Sequence, residues 1–251
     1  MKLNLKLSKS STLINFLKRF EAIDNSLLLE IKDNVLCAKS HTPERSVVKY
    51  SALELNEIFS EYSDVKDELK IGIMNIKKFI DSLKFFGESD FEMIIDYEKV
   101  NTDFVGTLIS MRNSSLNIEQ QCGALKLFTY ISDDILSRIT DTSKSSVDFM
   151  MVKEQQVKLS SLFKIEDYDR VTFLKDKNKI FVKGKSYELL ILEDSDLKKA
   201  DDCKLTVYKN HYSFIDGENT KVYINVEGSK LIFISNESDT KTIIGEASSY
   251  E

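Results

Sequence analysis

Residues 75–97 hold the clearest chemical pattern in the chain, a short predicted helix that leads through a turn into a strand. The apolar side chains of this helix recur at helical spacing, namely Ile76, Phe79, Ile80 and Leu83. The opposite side holds Lys77, Lys78 and Lys84 against one acid, Asp81. Lysines on one helix face can neutralise the phosphates of a polyanion. The chain as a whole is acidic, with a formal net charge of -6, so a basic helix face is unexpected.

Groupings of catalytic residues are missing from the sequence. The histidines are His41 and His211 only, and no H-E-x-x-H, Walker, G-x-S-x-G or G-x-G-x-x-G motif occurs. The acidic run at 193–202 lacks the glycine and the ligand spacing of a calcium loop. Cys122 precedes Gly123 in a predicted turn, with no neighbouring histidine to activate the thiol. We therefore expect no enzyme, no metal site and no cofactor.

Composition bounds the class of protein. The 251 residues, 42% of them hydrophobic, suffice for one large domain or two ordinary ones. Three scattered cysteines do not form a disulfide framework, and the N-terminus does not have the pattern of a signal peptide. No apolar run approaches the roughly 18 residues that a membrane span needs. We expect a cytoplasmic location, which would be the host cytoplasm for a phage protein, and no membrane partner.

Short period-two patterns fill most of the sequence and are bounded by polar turns, which predicts antiparallel hairpins in a sheet-dominated α+β protein. The order strand, helix, hairpin occurs four times, twice in each half of the chain. We predict two similar domains, 1–131 and 147–251, joined by an exposed connector at 132–146. Three apolar residues in the connector, Ile135, Leu136 and Ile139, are expected either to pack onto the body or to offer a surface to a partner.

Positive charge is concentrated in the four predicted helical windows, 9–22, 75–87, 153–165 and 207–217. They contain ten basic and four acidic residues, whereas the rest of the chain contains 25 basic and 37 acidic residues. A single lysine-rich helix is more often just a solvated surface. Four with the same bias predict one basic surface that attracts phosphates without reading bases.

The duplicated order and the charge pattern resemble the two-domain DNA polymerase sliding clamps, the family of proliferating cell nuclear antigen and the clamps of tailed phages. The similar stretches are "LKLSKSSTLINFLKRFEAIDNSLLLEI", "IGIMNIKKFIDSLKFFGESDFEMII", "LTVYKNHYSFIDGENTKVYINV" and "TKTIIGEASSYE". The resemblance implies two clamp domains with antiparallel sheets outside and paired short helices lining one face. It also implies a closed homotrimeric ring around duplex DNA that tethers the replicative polymerase and is opened by an ATP-dependent clamp loader.

Site residues follow from the resemblance by position. The expected DNA-facing residues are Lys18, Arg19, Lys77, Lys78, Lys84, Lys153, Lys158, Lys164, Lys209 and His211. An edge strand near 123–131, with Leu125 and Leu127, would pair with a neighbour's strand near 185–192, with Tyr187, Leu189 and Ile191. A partner-peptide pocket would form where the connector, the "HTPERSVV" loop and the C-terminus meet. Its expected apolar wall is Val47, Ile131, Leu136, Ile244 and Ala247.

Two other hypotheses remain open at the level of sequence. One is a viral accessory or processivity factor of the same fold that binds DNA without encircling it, and which needs no complementary edge strands. The other is a β-rich structural or interaction protein whose lysine faces are merely solvated. Reversing charges on the helices would leave the function of this last protein intact.

Overall fold

The structure, a computed structural model, describes residues 1–7, 10–63, 68–87, 89–165 and 167–247. Contacts divide the chain into two compact units. The first unit comprises Met1–Ser40 and Tyr50–Ile131, and the second comprises His41–Lys49 and the chain from Ser132 onward. The second unit therefore includes the residues predicted as connector and a short segment from the first half of the sequence.

The described part of the chain contains seventeen strands and five α-helices. The strands are β1 Lys2–Leu7, β2 Leu27–Lys32, β3 Val35–His41, β4 Val47–Glu54, β5 Glu61–Tyr62, β6 Leu69–Ile73, β7 Phe91–Val100, β8 Asp103–Arg112, β9 Asn117–Gln121, β10 Val147–Met151, β11 Arg170–Asp176, β12 Lys179–Lys183, β13 Glu188–Glu193, β14 Cys203–Tyr208, β15 Thr220–Asn225, β16 Lys230–Ser235 and β17 Asp239–Gly245. The α-helices are α1 Ser11–Glu21, α2 Leu55–Ile58, α3 Ile76–Lys84, α4 Asp133–Thr140 and α5 Lys153–Phe163. Short 3-10 helices span Leu125–Leu127, Ser195–Lys199 and Lys209–Phe214.

The predicted α+β class and the fourfold order of elements are confirmed. The order strand, helix, strand, strand begins at β1, β6, β10 and β14, and each time a further strand follows. The hairpin turns form where polar residues tolerate a left-handed backbone, as at Asp33 and Asn34 between β2 and β3. No helix of the described residues is long and apolar enough to cross a membrane.

In the first unit, the strands lie in the order β4-β3-β2-β6-β8-β7-β1-β5, and β9 pairs with β8. Helices α1 and α3 pack together, and their apolar stripes join the strand side chains in one core. Five residues of α1 are buried, namely Leu13, Ile14, Phe16, Leu17 and Phe20. Burial of each such side chain contributes about 1.5–3 kcal/mol, so this stripe fixes which face of the helix is left to solvent.

The second unit contains two four-stranded arrangements, β10-β15-β16-β17 and β13-β12-β11-β14. Its core is formed by alternate residues of these strands together with Leu159 of α5 and Val47 of β4. Helix α5 buries only Gln156 and Leu159 among its residues. The fourth helical window, predicted at 207–217, is a 3-10 helix at Lys209–Phe214.

The prediction of a strand at 123–131 is wrong. Gly123 N donates to Gly72 O at 2.9 Å, and Leu125–Leu127 is a 3-10 helix, so the backbone leaves the sheet here. The Phe128 ring lies against Gly72 and Gly123, where two glycines allow close approach. The Phe128 contact thus holds residues 123–131, called the strap below, onto the first unit, and the strand beside β8 is β9 instead.

We expect Gly72→Ala to destabilise the protein by about 1–3 kcal/mol, because the new methyl group would overpack this contact. A Cβ built on Gly72 lies 2.7 Å from Phe128 Cζ. Urea unfolding followed by circular dichroism measures the change. Gly217→Ala is the matched control, since no atom lies within 4 Å of a Cβ built there. Equal unfolding midpoints for the two variants would contradict the packing of the strap.

Candidate nucleic-acid interface

Helices α1 and α3 present the basic surface of the first unit. Lys18 on α1 and Lys77, Lys78 and Lys84 on α3 are exposed, each on the side opposite the buried stripe. Asn75 caps the start of α3 by accepting from Lys78 N at 2.8 Å. Exposed acids on the same helices are Glu21 and Asp81. The surface is therefore basic but thinly charged, which suits exchangeable phosphate contacts.

Two of the predicted basic residues of the first unit have partners within it. Arg19 is half-buried, and its Nη1 donates to Ser51 Oγ at 2.9 Å. Lys84 Nζ donates to Asp81 Oδ1 at 2.8 Å, and this exposed pair lowers the pKa of Asp81. Arg19 thus helps to hold α1 in place in addition to contributing a positive charge. Lys84 stays accessible to a ligand because exposed ion pairs are weak and exchange readily with solvent.

Helix α5 presents the basic surface of the second unit. Lys153, Lys158 and Lys164 are exposed, and Glu154 is the exposed acid beside them. Val157 lies in the same stripe and is 57% exposed. Sequence reasoning placed these lysines on the helix but did not anticipate that its solvent face would contain an apolar side chain.

The expectation that His211 belongs to an exposed polar face is wrong. His211 is only 5% exposed, because the 3-10 helix turns its side chain into the second unit. Lys209 is half-buried and its Nζ donates to Phe163 O at 3.1 Å, at the end of α5. The short fourth helix thus offers far less basic surface than its sequence implied. Lys9, which also counted toward the predicted charge, lies outside the described residues.

Segment His41–Lys49 is held inside the second unit by a buried ion pair. Lys49 is almost fully buried, and its Nζ donates to Asp216 Oδ1 at 2.7 Å and to Phe214 O at 2.8 Å. A buried ammonium ion needs such partners because burial removes its hydration. Val47 of the same segment lies in the core. Sequence reasoning missed Lys49, which lies in a strand with no local sign of its distant partner.

Four of the five predicted pocket residues are buried. Val47 and Ile244 are fully buried, since they lie among the residues of β4 and β17 that face the core of the second unit, and Ile131 and Ala247 are nearly so. Leu136 on α4 is half-exposed. The apolar residues that the structure does expose near it are Ile135, which is exposed, and Ile139, which is half-buried.

Helix α4 was not predicted, since the connector lacked strand alternation and its helical repeat is only two turns long. Ser132 Oγ caps its start by accepting from Ile135 N at 3.3 Å. Lys230 Nζ donates to Arg138 O at 3.2 Å and to Ile139 O at 2.9 Å, which satisfies carbonyls at its end. Burial lowers the pKa of Lys230, although the charge of Asp141 opposes this. The helix is fastened at both ends while its apolar side chains remain unburied.

The two candidate edge strands are β9 and β13. In the described chain, β9 pairs with β8 alone and β13 pairs with β12 alone. Leu189 and Ile191 of β13 face the core of the second unit, and Leu190 between them is exposed. Leu125 and Leu127, expected in the other edge strand, lie in the strap instead. Tyr187 precedes β13 and is half-buried.

Cys122 has no sign of activation. Burial raises the pKa of its thiol to about 11, so the thiolate that nucleophilic catalysis needs is scarce at neutral pH. The backbone of Cys122 continues the pairing just beyond β9, with its N donating to Thr107 O at 3.0 Å, so the predicted turn does not form at this residue.

With its duplicated order of strands and helices, the chain has the fold of solved sliding clamps. The structure of proliferating cell nuclear antigen (PCNA) from A. fulgidus, solved with the C-terminal region of FEN-1, matches with a TM-score of 0.72 at 12% identity and covers 99% of this chain and 100% of that one. The PCNA2–PCNA3 complex from Sulfolobus tokodaii matches with a TM-score of 0.67 at 12% identity, over 97% of this chain and 98% of that one.

A bacterial clamp has the same fold. The Helicobacter pylori beta clamp, solved with a DNA ligase peptide, matches with a TM-score of 0.70 at 12% identity, covering 98% of this chain and 66% of that one. No protein-family model matches the sequence, and no curated protein matches it. The likeness thus lies in the fold, and it extends over nearly the whole chain.

We expect Lys49→Met to lower the free energy of unfolding by about 2–3 kcal/mol, because it leaves the Asp216 carboxylate and the Phe214 carbonyl without their donor. Methionine keeps the length of the side chain, so packing loss is small. Thermal and urea unfolding measure the effect.

The matched control is Lys144→Met, which removes an exposed pair with Glu227 at 2.9 Å. We expect no measurable change from it, as for most surface ion pairs. If both variants unfold alike, Lys49 does not anchor the segment.

Proposed function

We propose that the protein is a non-enzymatic sliding clamp that encircles duplex DNA and tethers a replicative DNA polymerase. The observation that supports this most is the clamp fold over nearly the whole chain, together with exposed lysines on α1, α3 and α5 in an otherwise acidic protein. Each unit would turn its basic helices toward the duplex and its sheets away from it.

The mechanism is topological. A closed ring cannot dissociate sideways from DNA, so the phosphate contacts of the lysines can remain weak and exchange as the ring slides. A polymerase bound to the ring stays at the primer end because tethering raises its effective concentration. The chain has no nucleotide-binding loop, so we assign ring opening to a separate ATP-dependent loader.

Ring closure would use the two edge strands. Pairing β9 of one subunit with β13 of the next would satisfy both unpaired backbone edges and repeat around a homotrimer. The complex of PCNA2 with PCNA3 supports subunit pairing in this fold. This assignment replaces the sequence-based choice of 123–131 as the edge.

Partner proteins would bind the second unit beside α4. The A. fulgidus clamp binds the C-terminal region of FEN-1 and the H. pylori clamp binds a DNA ligase peptide. We assign a similar short apolar peptide to the surface formed by Ile135 and Leu136 of α4, the tip of segment His41–Lys49 and the chain at Gly245–Ala247. Val47 and Ile244 would support this surface from the core and not touch the peptide directly.

We expect the double variant Lys77→Glu with Lys158→Glu to fold normally but to bind duplex DNA more than about tenfold less tightly at low salt. Removing two phosphate contacts should also reduce the magnitude of the slope of log affinity against log salt concentration by about two. Fluorescence anisotropy with a labelled duplex measures both, and circular dichroism checks the fold.

The control is Lys32→Glu with Lys204→Glu, which makes the same change in net charge at exposed strand positions. An equal loss in both double variants would mean that net charge alone matters and that the helices have no special role. Unchanged binding in the helix variant would mean that the helices do not contact the DNA, and a wild-type chain that binds no duplex would favour the β-rich interaction protein.

We expect light scattering to give about three times the 28.8 kDa mass of one chain, which is the mass of a closed homotrimeric ring. A trimeric ring that encircles circular DNA should stay bound in high salt, and it should slide off when the DNA is cut. A monomer at every concentration that also leaves circular DNA in high salt would contradict the ring and favour the non-encircling accessory factor.

A further inference from the structure

The imidazole of His211 faces the tip of segment His41–Lys49 inside the second unit. Its Nε2 lies 3.1 Å from Ser46 Oγ, and Ser46 Oγ donates to Glu44 Oε1 at 2.6 Å. Ser46 has one hydroxyl proton and gives it to Glu44, so the proton between Ser46 and His211 comes from Nε2. Nε2 of His211 therefore carries a proton in this arrangement.

The other ring nitrogen, Nδ1, is buried, and no residue that the structure describes offers it a hydrogen-bond partner. The rings of Tyr208 and Phe214 lie around the imidazole, with centroids 5.5 Å and 6.4 Å away. Protonation would add its proton at Nδ1, where a charged donor would be buried without an acceptor. The acid facing the ring is Glu44, 3.5 Å from Nε2 and mostly exposed.

The position of Ser46 determines that of the whole tip. Gly245 N at the end of β17 donates to Ser46 O at 2.8 Å. Thr42 Oγ1 lies 3.2 Å from Ser46 Oγ and accepts from Val47 N at 3.1 Å. A change at the His211–Ser46 contact therefore reaches the C-terminal strand and the start of β4, which border the proposed peptide surface.

We propose that His211 is a positioning residue that fixes segment His41–Lys49 against β17 while its imidazole is neutral and releases the segment when it is protonated. Peptide capture at the adjoining surface would then weaken below neutral pH. The effect on peptide capture rests on the proposed function, whereas the positioning role of His211 does not.

The charge balance gives the sign of the effect. Burial lowers the pKa of His211, and the opposing charge and hydrogen bond of Glu44 are the smaller influence. The fixed arrangement therefore favours the neutral ring, is fully present above the ordinary imidazole pKa of about 6.5, and is lost as the pH falls through the lowered value. The other titratable or charged groups of the elements around the ring are His41, Glu44, Arg45, Lys49, Tyr208, Lys209, Tyr212, Asp216, Asp239 and Lys241.

Hydrogen–deuterium exchange of the amides of Thr42, Arg45, Val47 and Gly245 tests the positioning role, using the full chain, His211→Gln and His41→Gln. Glutamine can keep a donor to Ser46 but does not titrate. At pH 5.5 we expect exchange in the wild-type chain and in His41→Gln to be faster than in His211→Gln by up to about tenfold, the limit one pH unit below the imidazole pKa. At pH 7.5 all three should exchange alike. Comparison at equal pH removes the intrinsic pH dependence of exchange.

Equal exchange in the wild-type chain and His211→Gln at pH 5.5, or a pH response that disappears in His41→Gln, would overturn the assignment to His211. Peptide capture is then measured with the C-terminal region of FEN-1 and the DNA ligase peptide as probes. If the affinity for the peptides falls with pH in the wild-type chain but not in His211→Gln, the link between His211 and peptide capture is supported. If exchange shows that the segment is released while the affinity stays constant, that link is overturned. If neither probe binds at pH 7.5, the proposed peptide surface fails while exchange still decides the role of His211.

Discussion

Burial of an apolar stripe on α1 and on α3 is the constraint on which the basic surface of the first unit depends. Helix α1 buries Phe16 and Phe20 in the core of the first unit, and α3 buries Phe79. Once these side chains are inside, Lys18 and Lys77 face solvent, since a surface helix that packs one face on the core exposes the opposite face. The core thus positions the charges, and the lysines need no partners of their own to hold them outward.

The parts of this arrangement that depend on neighbours in sequence could be predicted. The helical repeat at Ile76–Lys84 and the turn residues Asp33 and Asn34 determine structure within a few residues, and both formed as expected. Strand alternation at β13 likewise predicted the strand. It could not say that Leu189 and Ile191 would be the buried set, because period two gives two faces but not their direction.

The wrong predictions concern places where a contact with residues distant in sequence determines the local structure. The stretch 123–131 alternates like a strand, but Phe128 packs on Gly72, and that contact draws the backbone out of the sheet. Helix α4 is too short to be evident from periodicity, and Lys230 of β16 satisfies its last carbonyls from 91 residues away. His211 follows Lys209 in a basic-looking stretch, yet its partner Ser46 lies 165 residues earlier.

Polar anchors also explain why segment His41–Lys49 adopts one position. An apolar tip could shift along the core with little loss, because dispersion contacts are individually weak and not directional. Lys49 and His211 instead require acceptors at fixed distances, and an unsatisfied buried group costs more than the contact gains. Because a buried polar group tolerates few arrangements, the position of the segment depends on whether the His211 imidazole is protonated. A segment held by leucines would be equally stable at every pH, and it would have nothing to release.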